Sequence, residues 1–342
     1  MTARARLLKL LLGLAPVLLT LVVGSAILLV AGANPLQAFG QLITGAFESP
    51  RKLADVAMAM VPLLLCSAGM LVTFAAGLWN IGVEGQVIAG ALATTWVAMG
   101  LDAPPALMLP LTVLAGMAGG AVWGLLIGLI RTKGKVNEIF AGLGLNYLAM
   151  ALTNYLIFGP WKPPDGATMS GTDPFPRAAW MPLLGNTRAS PIAIVLALVG
   201  IAVIWLLLRD SHWGLRLKAV GQNERAAYRL GINTSREIVL AFVVCGALAG
   251  LAGSLQTTAV YRRLIPQISG GYGYTAQLVV LLSGLRAQIV PLVVFFFSAI
   301  QVGSPRLELR LYLDSSLGGV LQAGIVLFFL LVRGIRQRLE KE

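Results

Sequence analysis

A cluster of hydrogen-bonding residues interrupts an apolar sequence at 77–86, which reads GLWNIGVEGQ. Asn80, Glu84 and Gln86 could offer donors and acceptors to a polar solute on a translocation path. They could equally tie a broken helix to its neighbours, with Glu84 capping a helix start through backbone N–H groups. Glycines at 77, 82 and 85 let a helix unwind there. Unwound backbone at membrane depth is tolerated only where it is buried in protein or lines a cavity. Two further groups share this character. Asn146 lies inside an apolar run, where hydrogen bonding between helices and a place on the pathway both stay open. Tyr272, Tyr274 and Gln277 follow two glycines and could contact a base or a sugar, or serve as core aromatics. All of this is the chemistry of binding and passage. No catalytic set and no metal-ligand spacing is found, and His212 reads as an ordinary loop histidine.

The elements that must position these residues follow from composition. Of 342 residues, 57% are hydrophobic and 12% charged, with mean hydropathy +0.82. A soluble domain carries roughly 25% charged residues, so the chain is an integral membrane protein with several spans. Apolar runs approaching the roughly 20 residues that cross a bilayer recur throughout. Ten candidates lie near 7–30, 53–74, 85–100, 106–130, 138–158, 191–208, 237–260, 272–284, 288–303 and 317–333. The eighth and ninth are short and share the bend Gly284–Gln288, which suits a hairpin that does not fully cross. Backbone polar groups in lipid must be paired within the segment, and period-2 alternation is scarce. The expected fold class is therefore an all-α membrane bundle of about ten segments with broken helices. The basic start Arg4, Arg6 and Lys9 has the look of a secretory signal, but the length of the run and the spans behind it predict a retained anchor.

Orientation is read from the basic residues. With the N-terminus inside and ten crossings, 17 of the 26 Lys and Arg fall on the cytoplasmic side, and both termini are cytoplasmic. The formal charge of +12 then reflects loops facing anionic lipid and calls for no nucleic acid. Cys66 and Cys245 each sit in an apolar run, where a thiol behaves as a small hydrophobe, so no disulfide is expected.

Residues 1–342 are read as one transmembrane domain with two long polar loops. The external loop at 159–191 holds seven prolines and suits a lid, a docking surface or a plain connection. The internal loop at 209–236 reads RDSHWGLRLKAVGQNERAAYRLGINTSR. Asn223 can cap a helix, Glu224 sits near its positive end and Gly231 can terminate it. The chain lacks the G-x-x-x-x-G-K-[ST] phosphate loop. It needs no cofactor of its own, and any ATP must be bound by partner subunits.

The 209–236 loop resembles the coupling loop of permease subunits of ATP-binding-cassette importers, through Glu224, Ala226, Ala227 and Gly231 preceded by RLKAVGQN. The usual acid-alanine-alanine order is interrupted here by Arg225. FAAGLWNIGVEGQVIAGA at 74–91, KVNEIFAGLGLNYLA at 135–149 and GGYGYTAQLVVLLSGL at 270–285 are similar to the branch importing simple sugars and nucleosides, most closely the guanosine-type permeases. The resemblance covers nearly the whole chain. It implies ABC ATPase subunits docked on the coupling helix, with Arg225 and Arg229 meeting that surface or forming a solvated basic face. It also implies a second permease subunit, an extracytoplasmic solute-binding protein, alternating access, and a place in the cytoplasmic (inner) membrane. An ion-coupled secondary transporter is the alternative, with Glu84 as its strongest intramembrane carboxylate.

Five segments per half would invert the second half relative to the first. A glycine-rich break precedes the third segment of each, NIGVEG at 80–85 and SGGYG at 269–273. That symmetry predicts that the two breaks meet near one central pathway.

Overall fold

The computed structural model describes residues 18–30, 32–164 and 171–339. The basic start of the chain, residues 7–17 of the first segment and part of the proline-rich loop, at 165–170, lie outside the described residues. Among the described residues every regular element is helical, and no strand occurs. The helices are α1 (Leu18–Val30), α2 (Pro35–Phe47), α3 (Pro50–Ala75), α4 (Val83–Gly100), α5 (Pro105–Thr132), α6 (Glu138–Phe158), α7 (Pro191–Asp210), α8 (His212–Gln222), α9 (Glu224–Arg229), α10 (Thr234–Leu255), α11 (Tyr272–Leu282), α12 (Val290–Gly303), α13 (Pro305–Leu311) and α14 (Leu317–Leu339). Their starts are written locally. Proline opens α2, α3, α5, α7 and α13, where its missing N–H costs nothing and its φ is already helical. The side chains of Asn34, Ser49, Asn137 and Asn233 accept hydrogen bonds from first-turn amides.

Six helices are long and apolar enough to cross a membrane: α3, α5, α6, α7, α10 with its continuation to Val260, and α12 running on through α13 to Leu311. A seventh would be the pair α1 and α2, bent by 111°. Helix α2 occupies a stretch that the apolar runs left unassigned. It is set off by Gly32 at φ +76° and by the Asn34 cap. The bend between α11 and α12 does fall at Gly284–Gln288, where Gly284 (φ +61°) and Leu285 (φ +64°) are both left-handed. The second arm does not stop at residue 303, however, because Pro305 restarts a helix immediately after Ser304. On the same arm, Arg306 pairs with Glu48 between α2 and α3 and, by that hydrogen bond, holds the Glu48 carboxyl below the usual carboxylate range.

Two helices form the centre. In the apolar windows of α3 and α10, 83% and 67% of residues are buried, against 28% in α5 and 22% in α7. Hydropathy alone does not decide this, since α7 is the most apolar of the six at mean hydropathy 2.9 and the least buried. Helices α4, α5 and α10 cross with their backbones almost touching, through Gly90, Gly116, Gly120, Gly246 and Gly250. A Cβ at Gly250 would overlap the carbonyl oxygen of Gly116 and come within 2.9 Å of the Gly120 Cα, while one at Gly90 would overlap Gly250 itself. Small residues spaced by four are how membrane helices gain van der Waals contact when lipid supplies no hydrophobic drive.

Candidate functional site

Between α3 and α4 the chain leaves the helix for the residues around Gly77, which sits at φ +74°. Leu78 N–H closes the end of α3 on the Thr73 carbonyl at 2.9 Å. The next residues form no regular element, and several of their polar groups are paired from elsewhere in the bundle. Asn80 donates to Gln86 Oε1 at 3.2 Å and to Cys245 Sγ at 3.1 Å. Asn146 on α6 accepts from Gly85 N–H at 2.8 Å and donates to the Ile81 carbonyl at 2.9 Å. Tyr274 oxygen lies 3.5 Å from the same amide nitrogen, and Gln277 donates to the Asn80 carbonyl at 3.4 Å. Asn80, Glu84, Gln86 and Asn146 are all buried. One side chain therefore does for this loop what the backbone does in a helix.

Glu84 reaches the second break. Its Oε2 accepts from Gly273 N–H at 2.9 Å, with the Ser269 hydroxyl and the Gly271 amide close to the carboxyl group. Gly271, at φ +75°, turns the chain into α11. Gly273 must be glycine, because a Cβ there would stand 2.7 Å from Glu84 Oε2 and 2.8 Å from Glu84 N. The two breaks expected from the repeat thus touch, and Glu84 caps α11. Exchanging the carboxylate for an amide keeps an acceptor for Gly273, whereas an apolar chain strands that buried N–H at about 1–3 kcal/mol. Glu84→Gln should therefore accumulate in the membrane at near wild-type level and Glu84→Leu at a clearly lower one, read by quantitative immunoblot of extracted monodisperse protein. Equal loss in both would sink the capping role.

The structure gathers Asn80, Glu84, Gln86, Asn146, Tyr274 and Gln277 at one junction, and sends Tyr272 elsewhere, towards Gln256. It also adds residues that the sequence did not single out. Cys245 is an acceptor for Asn80. Glu138, in the stretch KVNEIF, accepts from Trp79 N–H at 3.4 Å and pairs with Arg131 at 2.9 Å. Three buried polar atoms along the break, Asn80 Oδ1, Gln86 Nε2 and Trp123 Nε1, have no protein partner.

The 209–236 loop folds as two helices, α8 and α9, where a single short one was expected. Helix α8 is started by Ser211, whose hydroxyl accepts from Gly214 N–H at 3.0 Å. Asn223 caps α9 through Ala226 N–H at 3.0 Å. Gly231 at φ +85° ends it, with Gly231 N–H bonded to the Tyr228 carbonyl and Ile232 N–H to that of Ala227. This is the glycine-terminated turn that satisfies the last carbonyls of a helix. Ala227 packs inward, while Ala226, Tyr228, Leu230 and the side chains of Arg225 and Arg229 face outward.

Two contacts join this loop to the break. Gly221, near the end of α8, lies on the turn after α3, where a Cβ would meet Gly77 N at 2.9 Å and Ala76 C at 3.0 Å. Arg131, at the end of α5, lies 3.9 Å from Glu224 of α9 as well as against Glu138.

The family described as branched-chain amino acid transport system / permease component matches residues 52–330. The chain belongs to that family. The permease is 30% identical to the glucose ABC transporter permease protein TsgB13 of Haloferax volcanii over 326 residues, covering 92% of this chain and 85% of the relative. It is 27% identical to the guanosine ABC transporter permease protein NupP of Bacillus subtilis over 325 residues, with 94% and 93% covered. Its identity to the nucleoside ABC transporter permease protein NupB of Lactococcus lactis is 28% over 306 residues, with 87% and 84% covered. The permease is a multi-pass membrane subunit of an ATP-binding-cassette importer, in the sugar and nucleoside branch that its motifs indicated.

Proposed function

We propose that this permease moves nucleosides inward across the cytoplasmic membrane by alternating access, driven by separate ATPase subunits that dock on α9. The observation that carries the proposal is the double attachment of the α8–α9 loop to the break, through Gly221 on the Gly77 turn and through Arg131 between Glu224 and Glu138. A push on α9 would reach the junction of the two broken helices without crossing the bundle. Glu224, Arg225, Ala226, Ala227, Arg229 and Gly231 form the docking element. The groups lining the path are drawn from Asn80, Glu84, Gln86, Asn146, Tyr274 and Gln277, with the unpartnered amide atoms of Asn80 and Gln86 facing the opened path. ATP is bound by the partners and no cofactor by this chain. An ATPase dimer offers two docking grooves, so a second permease subunit, like or related, completes the assembly, and a solute-binding protein delivers the nucleoside on the far side.

The proposed topology has ten crossings and both termini in the cytoplasm. Its support is that loops assigned inside share one end: Arg209, Lys218 and Arg286 line a single cavity of 580 Å³, and Arg131 meets Glu224 there. At the opposite end, Arg51, Lys52 and Arg188 share another cavity.

The coupling assignment is tested by Gly231→Pro. Proline fixes φ near −65° and so forbids the left-handed turn that ends α9. Uptake of labelled nucleoside should fall at least tenfold while the protein remains in the membrane; unimpaired uptake would remove α9 from the mechanism.

A further inference from the structure

A cavity of 570 Å³ opens at the end of the bundle away from α8 and α9, and no role has yet been given to it. Its polar lining comes from five separate places in the chain: Asp55 near the start of α3, Arg188 before α7, Gln256 at the end of α10, Tyr261 and Arg262 in the turn that follows, and Tyr272 at the start of α11. The wall is built, not incidental. Residues Gln256–Val260 form a π-turn, closed by Tyr261 N–H on the Gln256 carbonyl at 2.9 Å. Such turns insert one residue into a helix and re-aim the side chains after it, often at functional sites. Arg262 is held at φ +56° with its guanidinium 4.3 Å from the Trp180 ring centre. Its carbonyl accepts from Phe175 N–H at 2.8 Å, and Met181 N–H bonds to the Thr258 carbonyl at 3.2 Å. The proline-rich loop is in this way sewn onto the end of α10 and walls the cavity.

The floor is polar and buried. Gln256 is 3% exposed and Tyr272 is 9% exposed, and the Tyr272 hydroxyl lies beside the side chains of Gln256 and Gln301. Tyr261 is 45% exposed and presents an aromatic ring to the opening. The set combines two aromatic rings, an amide, a carboxylate and guanidinium donors. A ligand with a flat aromatic part, a donor-and-acceptor edge and neighbouring hydroxyls would use all of them, and the volume lies in the usual range for small-molecule sites, about 300–1,000 Å³. The location has a mechanical meaning too. Tyr272 directly precedes Gly273, whose amide is held by Glu84, so the cavity floor ends one residue from the junction of the two breaks.

We infer that this cavity is the outer vestibule in which the permease holds the nucleoside before passage, with the base against Tyr261 and Tyr272 and the hydroxyls and base edge on Asp55 and Gln256. The inference rests on the importer reading and adds to it a substrate site with named residues.

Val260 lines the same cavity and is 42% exposed, and the native Cys66 and Cys245 are fully buried. A Val260→Cys variant therefore gives one reactive thiol. Right-side-out vesicles carrying the complete transporter, washed free of binding protein, are labelled with a membrane-impermeant maleimide. The thiol should react from outside, millimolar uridine should slow the reaction at least threefold, and ribose at the same concentration should not. Adding Asp55→Asn should raise the uridine concentration needed for protection about tenfold. A thiol unreactive from outside, or one indifferent to uridine, overturns the vestibule; equal protection by ribose overturns its nucleoside chemistry. ATP-dependent uridine uptake by the unmodified transporter is measured alongside in vesicles that enclose ATP and have the binding protein restored, and its absence there would count against the importer reading independently of the labelling.

Discussion

Gly250→Leu should leave almost no folded permease in the membrane. At this position α10 meets two helices at once, with the Gly116 carbonyl and the Gly120 Cα of α5 on one side and Gly90 of α4 on the other. Overfilling an ordinary core costs about 1–3 kcal/mol because neighbouring side chains shift. Here the neighbours are backbone atoms of helices that are themselves locked by further glycines, Gly120 against the Gly246 carbonyl and Gly124 against that of Phe242. Relief requires three helices to part, so the cost should exceed that range, at roughly 4 kcal/mol or more. The site lies between one and two turns from the Asn80–Cys245 contact, and parting α4 from α10 would also pull Asn80 off Cys245. The measurement is membrane yield and monodispersity after detergent extraction, with Gly319→Leu on α14 as control, since a Cβ at Gly319 meets nothing within 4 Å. A normal, monodisperse yield of Gly250→Leu would disprove the close crossing.

Arg131→Met should separate ATP hydrolysis from transport. The guanidinium stands between Glu138, buried at 2.9 Å, and Glu224 on α9, at 3.9 Å. Glu138 in turn accepts from Trp79 N–H inside the break. Breaking a fully buried ion pair by removing one partner costs about 3–5 kcal/mol. The Arg131 side chain is one-third exposed, so solvent screening should bring the loss to about 1–3 kcal/mol. That is a tolerable loss for the fold and a severe one for a linkage. Nucleoside uptake should drop at least tenfold in reconstituted transporter while ATPase activity persists. The double variant Arg131→Met with Glu138→Gln removes the unpaired charge as well. It should regain thermal stability without regaining uptake; recovery of uptake along with stability would show that Arg131 serves the fold alone.

The sequence exposed the features whose cause is local. Apolar runs gave the long helices, and Asn223 and Gly231 gave α9 because capping and left-handed turns are written in one or two residues. The polar residues at 80–86 declared themselves through sheer cost in an apolar setting. What stayed hidden depends on pairing across the chain. Cys245 is 165 positions from the Asn80 that it serves, and Arg131 in a basic loop looks like any positive-inside residue until Glu138 and Glu224 are placed beside it. Helix α2 is 13 residues long, too short for a hydropathy signal, and no residue pattern foretold its 111° turn from α1. Helix α8 is nearly neutral in hydropathy and was absorbed into its loop. The continuation of α12 past Ser304 was masked because Pro305 reads as a stop, when in fact it is the first residue of the next helix.

The contact between Gly221 and the Gly77 turn is made by main chain on main chain. Wherever a side chain mediates a push, part of the stroke is lost to rotamer change, since exposed side chains reorient in picoseconds to nanoseconds. Between two glycines there is no such slack. The joint leaves no side chain to reorient between the two segments, and α8, 11 residues long and so about 16 Å from end to end, is a short rod leading to it. On the proposed mechanism, displacement imposed on the loop would reach the break through this joint, and displacement of the break would return to the loop by the same contact.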